Sequence, residues 1–334
     1  MKTLQGFLVV SALLAAAAAT ACAGQIENEK EKKPAEDPAL VGEEAAEQSE
    51  FEKLLFTEFR KRRTKHFLLE TSYDTAAAKD YIAFCEQSYR DFLAWAGKPA
   101  DTDLWGTRAR VVVMSSRAEW ECLLAALNKG RPPAEMEQLK KMGGQWNSSP
   151  PLAMIYSRDS STPRADKLQL FHTLCHLFLH GLAGSSQQGI VWWLWEGFSA
   201  YRELEVFGRK GTSCVDFTTA AKNDSDRAWS DPDQWVMLLK KEVIAKKGED
   251  FEVFWHKGVM DMQEKTYVKA WSLIRYLTRD EGSKARFIEF VSMLKTRNDQ
   301  ARAMNEVYSA GPNEIEREWK KWIRLQLAKP ATKK

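Results

Sequence analysis

Hydrophobic residues follow two different periods along this chain, and the switch between them divides it. Between residues 51 and 160, short apolar runs alternate with helical stripes. His66-Phe67-Leu68-Leu69-Glu70-Thr71, Ala109-Arg110-Val111-Val112-Val113-Met114 and Leu152-Ala153-Met154-Ile155-Tyr156-Ser157 have the length and composition of strands. After Asp74, a helix-capping residue, apolar side chains at Tyr81, Phe84, Cys85, Tyr89, Phe92, Leu93 and Ala96 recur at spacings of three and four, which predicts a helix with one buried face. Ser116-Arg117-Ala118-Glu119 has the form of a capping box and opens another helix. Gly143-Gly144 and Pro150-Pro151 punctuate a loop ahead of the third strand.

Beyond Pro163 helical periodicity runs nearly to the end, through segments near 166–182, 190–206, 234–246, 265–281, 284–296 and 313–327, with no convincing strand. The expected fold class is therefore α+β: a small mixed α/β part over 51–160, then an all-helical part over 161–328. The charge runs Arg60-Lys61-Arg62-Arg63 and Lys240-Lys241 read as solvated helix faces. No repeat of solenoid period occurs.

Ahead of this body the pattern changes again. Lys2 precedes the apolar run Phe7-Leu8-Val9-Val10-Ser11-Ala12-Leu13-Leu14 and a string of alanines to Ala19, which has the form of a signal peptide over 1–21. The stretch is too short to span a bilayer comfortably. Ala19-Thr20-Ala21-Cys22 resembles a bacterial lipobox, in which Cys22 would carry the lipid, although the usual Leu is missing at position 19; ordinary cleavage after Ala21 stays open. Residues 22–50 hold a dense run of Glu, Lys and Pro with almost no large apolar side chain, which predicts a disordered tether. The expected location is exported: periplasmic, or anchored to the outer membrane as a lipoprotein.

With 49 Lys plus Arg against 46 Asp plus Glu, the net charge of +3 gives no pull toward nucleic acid. The 5 cysteines form no C-x-x-C pair, which argues against a zinc ribbon, a thioredoxin-type site or a dense disulfide scaffold. An oxidising compartment still permits up to two disulfides among Cys85, Cys122, Cys175 and Cys214. Walker, dinucleotide-binding and EF-hand signatures are absent from the sequence.

The candidate chemistry gathers on one apolar helix. In Leu168-Gln169-Leu170-Phe171-His172-Thr173-Leu174-Cys175-His176-Leu177-Phe178-Leu179-His180 the histidines fall at i, i+4 and i+8, one stripe that drifts about 40° per step. His172 and His176 can therefore face one ion. Glu196 follows after 19 intervening residues on a second helix, and two histidines with one carboxylate form a zinc set that leaves a fourth position open. The alternative is a buried, hydrogen-bonded cluster of the same three residues without an ion.

The pattern H-x-x-x-H, 19 residues, then E resembles the gluzincin (thermolysin-like) metallopeptidases. The W-x-x-E-G-x-x-A-Y wording from Trp193 to Tyr201 resembles their bacterial peptidase MA-like domains, and Tyr267-Val268-Lys269-Ala270-Trp271 resembles a later helix of that family. The likeness covers roughly residues 60 to 328. It implies a zincin-like fold, Zn2+ held by His172, His176 and Glu196, and an extended peptide paired along the Ala153–Ser157 strand as the edge of a groove. One departure is decisive: the family's glutamate after the first histidine, which takes a proton from metal-bound water, is Thr173 here. A hydroxyl is too weakly basic near neutral pH, and loss of a general base removes ~10²–10⁴-fold of rate. Glu203, seven residues after Glu196 on the same helix face, is a candidate substitute base or a partner to a ligating histidine. Tyr267 is a candidate oxyanion donor or a core residue.

These readings converge on a catalytically impaired pseudopeptidase that binds a peptide or protein partner, with retained zinc and an ion-free cluster both open at its centre. The rival is an active zinc metallopeptidase with a non-standard base. Cys175 reads as core packing, since adjacent helical positions lie about 100° apart and do not pair it with His176. His180 reads as a helix-end histidine beside a C-cap at Gly181. Of the three clustered tryptophans, Trp192 and Trp195 share a helix face and Trp193 does not.

Overall fold

The computed structural model describes residues 38–45, 50–55, 57–140, 142–157, 163–184, 191–208, 235–240, 251–258, 264–295 and 299–328. The signal segment, Cys22, most of the tether, Cys214 and Lys241 lie outside the described residues. No helix among the described residues is long and apolar enough to cross a membrane.

Six strands form one sheet: β1 (Glu43–Glu44), β2 (Arg60–Arg63), β3 (Phe67–Thr71), β4 (Ala109–Met114), β5 (Gly144–Ser148) and β6 (Pro151–Tyr156), in the order β1-β2-β3-β4-β6-β5. The central neighbours β3, β4 and β6 run parallel, and the outer pairings are antiparallel. Parallel strands are covered on both faces, which is why β4 and β6 read as nearly continuous apolar runs. Alternate residues go to opposite sides: Val111, Val113, Ala153 and Ile155 enter the main core, while Val112, Met114, Met154 and Tyr156 pack with Trp120, Leu123 and Leu124 in a smaller one.

Besides short helical stretches at Pro38–Val41 and 235–240, the described helices are α1 (Glu50–Leu55), α2 (Thr75–Trp95), α3 (Arg117–Leu127), α4 (Pro133–Lys140), α5 (Pro163–Ala183), α6 (Trp192–Phe207), α7 (Phe251–Trp255), α8 (Glu264–Leu277), α9 (Glu281–Met293), α10 (Gln300–Tyr308) and α11 (Pro312–Ala328). Asp74 caps α2 through the Ala77 amide, and Ser116 with Glu119 closes a reciprocal capping box on α3, as the sequence predicts. Helix α5 lies over β5 and β6 and packs against α6, which in turn packs on α8. The α6–α8 approach requires a glycine: a methyl group at Gly197 would lie 2.8 Å from the carbonyl carbon and oxygen of Ala270. Every strand among the described residues precedes Pro163, so the mixed α/β part followed by helices stands.

Three expectations are corrected. Arg60-Lys61-Arg62-Arg63 is not a helix face but strand β2, paired on both sides. Its charges are absorbed locally: Lys61 meets the buried Glu52 carboxylate at 2.5 Å, and the Arg62 guanidinium donates to the carbonyls of Val41 and Gly42. Those same bonds hold Glu43–Glu44 on the sheet, so the end of the expected tether is structured. Finally, the Ala153–Ser157 segment is not the sheet edge, because the 144–148 stretch expected as loop forms β5 and covers it.

Candidate metal centre

Helix α5 is apolar on nearly every side and sits inside the main core, which places any polar residue on it in a dry environment. His172 and His176, one turn apart, face α6. Glu196 enters from the first turns of α6, where Trp193, Trp195 and Phe198 fix the helix in the core. One nitrogen of each histidine and one Glu196 oxygen lie within 4.8 Å of one another, and all three side chains are buried. Glu196 Oε2 is 3.3 Å from His172 Nε2 and Oε1 is 3.6 Å from His176 Nε2.

Outer contacts orient both rings. Glu203, two turns beyond Glu196, accepts from His172 Nδ1 at 2.5 Å, which puts a proton on Nδ1 and turns the Nε2 lone pair toward Glu196. Ser199, between them on the same face, donates its hydroxyl to the His172 carbonyl at 3.2 Å and leaves its oxygen 3.4 Å from His176 Nδ1. Burial drives the His176 pKa down to about 3; the Glu196 carboxylate opposes that shift and His172 reinforces it. A neutral imidazole with an available lone pair is the form that binds a metal.

The chain matches no protein-family model and no curated protein. The donor chemistry alone therefore tests the fit. With Nδ1 of each ring turned to an outer partner, both Nε2 lone pairs approach carboxylate oxygens, and something positive, a proton or a metal cation, must sit among them. Tetrahedral zinc with bonds of about 2.0–2.1 Å sets neighbouring ligand atoms about 3.3 Å apart, which the separations to the two Glu196 oxygens approach, while the three candidate ligand atoms as a set lie within 4.8 Å. The three residues could hold a metal ion.

Thr173 is buried, and its hydroxyl donates to the Gln169 carbonyl of its own helix at 3.0 Å. Strand β5 roofs it: a methyl group at Gly144 would come within 3.3 Å of Thr173 Oγ1. Tyr267 is fully buried on α8, three residues before the Ala270 backbone that abuts Gly197. Cys175 is a buried free thiol whose pKa burial raises to about 12, as core packing predicts. Cys85 and Cys122 are free as well.

His180 differs from expectation. Helix α5 continues to Ala183, and Gly184 rather than Gly181 takes the left-handed conformation at φ +75°. Gly181 instead admits the Trp105 indole, which a methyl group would meet at 2.7 Å. His180 is buried, and desolvation lowers its pKa, so it is no cation at a helix end. Trp192 and Trp195 do share a face, meeting edge-on at 4.7 Å, while Trp193 packs on Trp255.

Sequence reasoning missed two residues. Ser199 had a local signal, since it lies three residues after Glu196 on the Glu203 face. Trp146 had none: it reaches His176 from β5, and only the sheet's placement over α5 brings the rings together at 5.5 Å.

Proposed function

We propose that this is an exported, cell-envelope protein with a gluzincin-like zinc centre that has lost its catalytic base, and that it binds a peptide or protein partner rather than cleaving it. The observation that carries the reading is the pairing of a complete ligand set, His172, His176 and Glu196, with a threonine at the base position whose hydroxyl is spent on its own helix. Bound zinc would supply a Lewis acid able to draw a carbonyl oxygen. Glu203 is an unsuitable replacement base because its Oε1 is engaged by His172 Nδ1, which makes it an orienting partner. Tyr267 and an extended partner along the sheet edge remain parts of this proposal, with β5 now the outermost strand on that side among the described residues. The leader and Cys22 support an exported, membrane-tethered protein.

Elemental mass spectrometry on the purified protein tests the centre. About one zinc per chain is expected, lost in His172→Ala and in His176→Ala, with no peptide hydrolysis above background until Thr173→Glu is introduced. Absence of metal after zinc is supplied would sink the zinc centre. Hydrolysis by the native sequence that disappears in His176→Ala would establish the active peptidase instead.

A further inference from the structure

All three candidate ligands come from α5 and α6, yet the sheet also reaches the centre. Trp146 on β5 lays its indole nearly parallel to the His176 ring, with centroids 5.5 Å apart and an interplanar angle of 21°. The same indole is braced edge-on by Trp195, the neighbour of Glu196, at 4.5 Å and 87°. It also meets His180 at 5.9 Å. Its backbone is fixed opposite Ala153 in the β5–β6 ladder. Among the described residues, Trp146 is the sheet residue whose ring meets a ligand histidine.

The geometry points to Trp146 as a positioning residue of the metal centre: its stacked indole fixes the rotation of the His176 ring and closes that face of the centre to water. This inference rests on the zinc reading above and deepens it. The need for such a device follows from the other contacts of His176. Its Nδ1 lies 3.4 Å from Ser199 Oγ, much longer than the 2.5 Å bond that clamps His172 to Glu203. The Ser199 contact holds its ring more loosely than Glu203 holds His172, and the stacked indole adds a constraint on ring rotation that this contact does not supply. A face closed by an aromatic ring also keeps the local dielectric low, which strengthens the attraction between a cation and Glu196. Stacking requires a flat ring, so the device is specific to aromatic side chains.

The experiment compares Trp146→Phe, Trp146→Leu and Trp146→Ala with the native protein, reading zinc affinity by chelator competition and the visible absorption of the Co2+-loaded protein, with thermal unfolding as a check of folding. Native protein and Trp146→Phe are expected to share affinity and Co2+ band. Trp146→Leu and Trp146→Ala are expected to lose about tenfold or more in affinity, as removal of an outer-shell partner does, with a displaced band. Loss of thermal stability alone, with affinity and band unchanged in Trp146→Leu, overturns the positioning role and leaves the zinc reading intact. Equal behaviour of Phe and Leu variants overturns it as well, since apolar bulk would then suffice. A native protein that takes up neither Zn2+ nor Co2+ overturns the zinc reading beneath it.

Discussion

At the residue scale the candidate centre depends on two kinds of polar side chain, those able to hold an ion and those that aim them. Glu203 belongs to the second kind: its 2.5 Å bond to His172 Nδ1 decides which nitrogen carries the proton and which is offered to a metal. Glu203→Gln keeps the shape but loses the charge, and its amide can turn either a carbonyl or an N–H to the ring. Zinc affinity is expected to fall about 10–100-fold while the protein still binds one ion at saturation, measured by chelator competition. Complete loss of binding would instead make Glu203 a ligand. The helical spacing of His172, His176, Glu196 and Glu203 was legible in the sequence because faces of an α-helix follow from its own geometry. The hydrogen bond that commits Thr173 to Gln169 was not, since a threonine hydroxyl can turn to its helix backbone or away from it.

At the element scale, what positions the ligands is the contact between helices. Glu196 can face α5 only if α6 is held on its other side by α8, and Gly197 sits where the two backbones meet. A methyl group 2.8 Å from the Ala270 carbonyl has no flexible side chain to displace, so α8 itself must move. Gly197→Ala is expected to destabilise the protein by about 1–3 kcal/mol, seen as a lower urea midpoint. Gly282→Ala is the contrasting control: its nearest neighbour would be the Asp280 side chain at 3.5 Å, and the change should be neutral or stabilising. A Gly197→Ala midpoint equal to that of the native protein would show that α6 and α8 are less closely bound than their geometry requires. The apolar strands β3, β4 and β6 and the long helices announce themselves through period. Strands β2 and β5 do not, because one is entirely charged and the other, Gly-Gln-Trp-Asn-Ser, carries a single large apolar residue. Their assignment comes from backbone pairing to a neighbour, which leaves no mark on local hydrophobicity.

At the scale of the whole molecule, burying α5 between sheet and helices places histidines where they resist protonation. His180 has an ordinary value near 6.5 and is pushed below it by desolvation. The unfolded chain therefore binds a proton at this residue at a higher pH than the folded one, and stability must fall as pH drops through about 6.5 toward the folded value. The unfolding free energy of the native protein, from urea titrations, is expected to decline between pH 7 and 5 more steeply than that of His180→Leu. Parallel profiles would mean that His180 charges freely in the folded protein.

The sequence by itself determined three apolar strands, the helices that follow them, and the identity of three residues able to hold a metal ion. Each of those follows from local rules: apolar period, capping chemistry, and the turn of a helix. Only the tertiary structure decided that β5 rather than β6 is the outermost strand among the described residues, that a run of four basic residues is a strand, and that Trp146 lies on His176. Those outcomes depend on which surfaces meet across long stretches of chain, and surfaces are selected by packing and backbone pairing, whose partners lie far away in sequence.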